Sequence, residues 1–110
     1  MATIRGFRDI LPLDAEPFTA IETIARELFA LYGFREIRLP TLEYQDLFIK
    51  ATGETTDIVE KQMFLLKDSA DRHLALRPEG TPGLVRAYLS HHLQQDGAHT
   101  KLFYIGNMFR

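Results

Sequence analysis

Apolar and polar positions recur with a helical period between residues 18 and 32. Plotted at 100° per residue, Ile21, Ile24, Leu28, Phe29, Leu31 and Tyr32 fall within an arc of about 160°, while Glu22, Thr23, Arg26 and Glu27 take the opposite face. The pattern predicts an amphipathic helix with Asp14 as N-cap and Pro17 in the first turn, where a missing N–H costs nothing. Gly33 supplies the left-handed position that stops a helix, and residues 34–39 have strand character up to Pro40. Before the helix, Arg5-Gly6-Phe7-Arg8-Asp9-Ile10-Leu11-Pro12 mixes charge, glycine and proline without a period and reads as an irregular lead-in.

Beyond Pro40, residues 42–50 are expected to form a short helix with Leu47 and Phe48 inward, and residues 52–56 a turn. Residues 63–66 and 74–76 read as strands joined by the polar stretch 67–72, with antiparallel pairing the simplest outcome. Thr81 is the expected N-cap of a second helix with Pro82 at its first position. That helix carries Leu84, Val85, Tyr88, Leu89 and His92 on one face and fades near Gly97, and residues 102–105 form a last strand. The order α, β, α, β, β, α, β implies an α+β fold, a mainly antiparallel sheet flanked by helices, in a single domain over residues 1–110.

Charge then narrows the function classes. Thirteen Lys and Arg stand against fifteen Asp and Glu, a formal net charge of −2, so binding to a phosphate backbone through bulk positive charge is excluded and only a local patch is left. The absence of cysteine excludes a disulfide framework, a thiolate metal site and a cysteine nucleophile together. No apolar run approaches a membrane span and the first residues lack a signal-peptide core, so no membrane role is expected and the default setting is cytoplasmic.

The stretch Arg77-Pro78-Glu79-Gly80-Thr81-Pro82-Gly83 carries the most chemistry. Two glycines and two prolines in seven residues fix an unusual backbone path between a strand and a helix. A helix start alone favours an anion. A carboxylate held there by stiff backbone can instead pair with an ammonium group, while Thr81 and nearby N–H groups supply neutral hydrogen bonds. The amine of an amino acid fits. The same residues also suit a plain turn before a capped helix, with Glu79 complementing the macrodipole. Arg110 has two readings as well: a solvent-facing charge, or a guanidinium that grips a phosphate or carboxylate bidentately after the apolar run 104–109. His91, His92 and His99 match no zinc spacing, so no metal site is expected, and His92 reads as a half-buried residue of its helix face. No glycine-rich phosphate loop occurs, and Glu54, Asp57 and Glu60 read as a solvated acidic face.

Taken together, residues 5–12, Glu36-Ile37-Arg38-Leu39-Pro40, Thr56-Asp57-Ile58-Val59-Glu60-Lys61, Leu76-Arg77-Pro78-Glu79-Gly80-Thr81 and Tyr104-Ile105-Gly106-Asn107-Met108-Phe109-Arg110 resemble the opening of the histidyl-tRNA synthetase family, over the whole length. Residues of about 17–40 resemble class II motif 1, which in that family builds the homodimer interface. Those of about 101–110 resemble the first half of motif 2, whose arginine contacts the ATP α-phosphate and the amino-acid carboxylate. The resemblance implies that histidine attacks ATP to give histidyl-adenylate, and that the histidyl group then passes to tRNA(His). It implies that Glu79 and Thr81 hold the substrate amine, that Gly80 allows close approach, and that Arg110 meets both carboxylate and α-phosphate as the catalytic arginine. ATP enters as substrate with Mg²⁺, and no organic cofactor is bound.

Asn107 stands where that family usually has proline, and Pro82 where alanine is commoner. The resemblance also implies a truncated catalytic core, inactive alone, without the motif 2 return strand, the histidine-specific segments, motif 3 and the anticodon-binding domain. Two other readings compete. One is a fragment of the synthetase-like regulatory subunit of ATP phosphoribosyltransferase, from histidine biosynthesis, whose family tends to carry Asp in place of the Glu-Gly pair. The other is a free-standing dimerisation module resting on the helix 17–32 face.

Overall fold

The computed structural model describes residues 1–53, 61–97 and 99–110; of the turn expected at 52–56, Thr52 is still helical and Gly53 caps the helix, while positions 54–56 and the acidic positions 57 and 60 lie outside the described residues. The chain divides into two compact units, Met1–Arg35 and Glu36–Arg110.

In the first unit, helix α1 (Pro12–Leu31) begins earlier than the expected Asp14 cap. The residue before a proline is held extended, as Leu11 is at φ −72° and ψ 162°, and Pro12 arrives with φ already set for a first helical position. The Leu11 carbonyl accepts the N–H groups of Asp14 and Ala15 at 2.9 and 2.8 Å, so Asp14 sits in the first turn, where its charge complements the macrodipole. Pro17 is consequently inside the helix, not in its first turn, and removes the N–H that would reach the Leu13 carbonyl. Leu13 is exposed, so water can take that carbonyl.

The C-terminus of α1 follows the expected glycine stop. Gly33 has φ +80°; its N–H reaches the Ala30 carbonyl at 3.0 Å and the Phe34 N–H reaches the Phe29 carbonyl at 2.9 Å, the paired bonds of a Schellman motif. The Phe29 and Phe34 rings pack against each other with centroids 5.7 Å apart, closing the motif with its hydrophobic contact. No residue of α1 is buried, and Ile21, Ile24 and Leu28 of its apolar stripe are all at least half exposed.

The strands are shorter than the sequence suggests. Strand β1 (Arg35–Glu36) lies beside β5 (Leu102–Phe103), and β2 (Leu42–Tyr44), β4 (His73–Leu76) and β3 (Leu65–Lys67) form an antiparallel sheet in the order β2-β4-β3. The register sets Leu42 opposite Leu76, Glu43 opposite Ala75 and Tyr44 opposite Leu74 on one side of β4, and Leu65 opposite Ala75 on the other. The start of the expected helix at 42–50 is therefore a strand. Helix α2 (Gln45–Thr52) follows it directly and ends at Gly53, whose φ is +65°.

Phe48 of α2 is 1% exposed and packs with Met63 and Ala75, and the half-buried Ile49 lies against them. The hairpin between β3 and β4 closes through Asp68. Its Oδ1 accepts the N–H groups of Ala70 at 3.0 Å and Arg72 at 2.9 Å, and its Oδ2 accepts Arg72 Nε.

Helix α3 (Thr81–Ser90) buries Pro82, Gly83 and Ala87, leaving Val85 and Leu89 about half exposed, so the packed face is rotated away from the expected one. Small side chains decide this. A Cβ on Gly83 would stand 3.3 Å from Glu43 Oε1 and 3.7 Å from a Leu39 methyl, so glycine lets α3 approach closely. The helix ends at Ser90; His91 is its C-cap, and a 3₁₀ turn spans Leu93–Asp96. His92 has φ +52° and is exposed, not half-buried on a helix face.

Candidate functional site

Four residues, Arg77 to Gly80, connect β4 to α3. Glu79 is half-buried, Gly80 buried and Thr81 exposed. Thr81 is not the cap: Gly80 holds that position at φ −99° and ψ −24°, its carbonyl accepting the Leu84 N–H at 3.0 Å. With no capping bond to make, the Thr81 hydroxyl lies 3.2 Å from the Tyr104 hydroxyl. The close neighbour of Gly80 in the structure is the Tyr104 ring. A Cβ at Gly80 would meet ring carbon Cε2 at 2.2 Å.

Glu79 carries no hydrogen bond or ion pair to the described residues, and its side chain lines two adjoining cavities. The smaller, of about 150 Å³, also takes in Phe48, Thr52, Met63, Pro78 and Arg110. The larger and more open one, of about 590 Å³, runs between α2 and α3 past Leu47, Lys50, Thr81, Val85 and Leu89. The first cavity thus brings together the carboxylate and the guanidinium that the sequence singled out 31 positions apart, since 110 − 79 = 31. Arg110 is anchored by Nε, which donates to the Pro78 carbonyl at 3.3 Å, and its terminal nitrogens bond none of the described residues. An anion and a cation on one wall complement a zwitterion.

Sequence reasoning gave no role to Arg77, and the structure makes it the joint of the site. Its Nε donates to the Asn107 carbonyl at 2.8 Å and its Nη1 to the Leu39 carbonyl at 3.0 Å. Its backbone N–H reaches Thr41 at 3.0 Å, and its carbonyl accepts the Phe109 N–H at 2.9 Å. A Cβ on Gly106 would fall 2.5 Å from Nη2, so that glycine is the seat of the guanidinium. Local spacing holds no signal for this, because the partners are 30 or more residues away in sequence. The segment 107–110 is thus bonded to this loop.

Among the described residues no group of three or more His, Asp or Glu could hold a metal ion, and His91, His92 and His99 are exposed. No helix among them is long and apolar enough to cross a membrane. Among the described residues, displaced acid–base groups lie at the hairpin. Asp68 is held below the usual carboxylate value first by the Arg72 N–H, against the opposing effect of burial, and Arg72 is raised by its hydrogen bond to Asp68.

Comparison with known proteins decides the lineage. The family model described as histidyl-tRNA synthetase matches residues 6–110. The chain belongs to the histidyl-tRNA synthetase family. A histidine–tRNA ligase of Elusimicrobium minutum is 54% identical over 107 residues, covering 97% of this chain and 26% of that protein. The apo histidyl-tRNA synthetase of S. aureus superposes with a TM-score of 0.84 at 39% identity, covering 100% of this chain and 29% of that one. A Bacillus halodurans structure described as an ATP phosphoribosyltransferase regulatory subunit/histidyl-tRNA synthetase gives 0.82 at 30% identity, covering 96% and 26%. The chain spans about a quarter of the length of the curated relatives it matches. The α+β fold read from the element order agrees with these neighbours. Of the five segments that carried the resemblance, Thr56 to Glu60 lies outside the described residues.

Proposed function

We propose that this chain is the N-terminal part of the catalytic domain of a histidine–tRNA ligase, in which the histidine carboxylate attacks the α-phosphate of ATP to form histidyl-adenylate with loss of pyrophosphate, and the histidyl group then passes to tRNA(His) with loss of AMP. The observation that carries this reading is the cavity lined by both Glu79 and Arg110. Its volume is that of known protein cavities that admit a benzene-sized molecule. Glu79, unpaired among the described residues, faces the α-amino group, and the Thr81 hydroxyl adds a neutral hydrogen bond beside it. Gly80 serves them by making room for Tyr104. The terminal nitrogens of Arg110, unbonded among the described residues, suit the carboxylate and the α-phosphate, where they stabilise charge that develops during adenylate formation.

Magnesium comes with the nucleotide. Glu79 is the one carboxylate among the described lining residues and faces the amine, so phosphate oxygens supply the ligands that a hard cation needs. Motif 1, at about residues 17–40, and the start of motif 2, at about 101–110, then belong to one catalytic domain. Its homodimer contact uses the α1 stripe, and its setting is cytoplasmic. The regulatory-subunit reading is weaker, because Glu79 and Gly80 are both present and the relative at 54% identity is a ligase.

Histidine-dependent ATP–pyrophosphate exchange by the complete protein that carries this chain tests the reading. Glu79→Gln is expected to raise the KM for histidine at least tenfold. Exchange indifferent to both Glu79→Gln and Arg110→Ala overturns it.

A further inference from the structure

We propose that Arg77 is a positioning residue for the activation reaction: its guanidinium, seated on Gly106, sets the register between the loop that carries Glu79 and the segment after β5 that carries Arg110. The inference rests on the reading in which those two side chains hold the reacting groups. Hydrogen bonds that join the two segments run from Arg77 Nε to the Asn107 carbonyl, from the Phe109 N–H to the Arg77 carbonyl, and from Arg110 Nε to the Pro78 carbonyl, at 2.8, 2.9 and 3.3 Å. Arg77 supplies two of them. Through Nη1 it also grips the Leu39 carbonyl at 3.0 Å, so a third stretch of chain is tied to the same side chain.

The guanidinium suits this work because its donors are rigidly spaced and point in different directions, while lysine offers one flexible nitrogen. Glu79 lies two residues beyond Arg77 and Arg110 one residue beyond Phe109, so a slip between the segments changes the distance between amine holder and phosphate holder. Each holder keeps its own chemistry. The ground-state grip on each substrate therefore survives a slip, while the alignment of carboxylate with α-phosphate does not. A displacement of about 1 Å can cost about 100-fold in rate.

Arg77→Lys and Gly106→Ala are to be compared with wild type in the complete protein, by ATP–pyrophosphate exchange and by thermal unfolding. The first keeps the charge and loses the fork; the second displaces the fork from its seat. Folded variants in which kcat falls by about 100-fold, with the KM values for histidine and ATP within about threefold, support the assignment. The double variant should then lose little more than either single one. Unchanged kcat in a folded Arg77→Lys protein overturns the assignment, and so does failure of both variants to fold, which makes Arg77 a structural residue only. Glu79→Gln and Arg110→Ala, measured alongside, separate this result from failure of the parent reading: if those two are also without effect, the reading itself falls.

Discussion

Gly80 and Tyr104 are fitted to each other: the ring occupies the space that a Cβ at Gly80 would fill, with Cε2 only 2.2 Å from that position. The ring is held on the other side by its hydroxyl, 3.2 Å from Thr81 Oγ1. Gly80→Ala therefore either pushes the ring out or shifts the loop. The expected cost is about 1–3 kcal/mol in chemical denaturation, the usual range for overpacking, with weaker histidine binding in the same variant. A variant as stable as wild type with unchanged binding contradicts the fit.

Glu43 and Arg86 tie α3 to β2. Glu43 is 8% exposed and its Oε1 accepts both Nη2 at 2.7 Å and Nε at 3.1 Å, while Arg86 keeps 32% of its side-chain exposure. The two truncations are therefore unequal. Arg86→Ala strands a buried carboxylate and should cost about 2–4 kcal/mol, toward the range for broken buried pairs. Glu43→Ala leaves a guanidinium that can still turn to water, and should cost less. Equal losses in urea denaturation, or a double variant whose loss is the plain sum, count against the pair.

How far the sequence disclosed this architecture depends on the distance over which each feature is determined. The α1 stripe and its glycine stop are local, and both were legible from period and residue type. Glu79, Thr81 and Arg110 stood out because rigid or charged residues marked their positions, and the first cavity unites Glu79 with Arg110. The strand at Leu42–Tyr44 was read as helix because its identity comes from pairing with Leu76–Leu74. The large apolar residues of α3 point to a different face from the one that packs, because Gly83 and Ala87 make the contact. Thr81 has the residue type of a cap, but Tyr104, 23 positions away, engages its hydroxyl instead.

Asp68 offers a pH test at the hairpin. Its carboxyl is held below the ordinary 3.8 first by the Arg72 N–H, then by the Arg72 side chain and the Ala70 N–H, with burial opposing. A carboxyl lowered in the folded state adds stability above its unfolded value and loses it as pH falls through the folded one. The loop should thus be unchanged between about pH 5 and 8 and loosen progressively as pH falls from 3.8 through the lowered Asp68 value. NMR titration should place the Asp68 midpoint under 3.8, and a midpoint above it removes the hydrogen bonds as the cause.

The α1 stripe carries the homodimer proposal. Ile24 and Leu28 are 63% and 50% exposed, and a carboxylate set among such side chains cannot be buried without a partner charge. Ile24→Asp is expected to weaken self-association at least tenfold, about 1.4 kcal/mol, by sedimentation equilibrium. An unaltered dimer would mean that the contact lies elsewhere.

The span of the Arg77 bonds has a consequence during synthesis. On the ribosome Glu79 is made well before Asn107 and Phe109, the residues that fix its loop from the other side. Helix α1 needs only its own neighbours and can form as it emerges. The pocket around Glu79 cannot, and a nascent chain halted between positions 80 and 106 would already contain this carboxylate without the bonds that hold its loop in place.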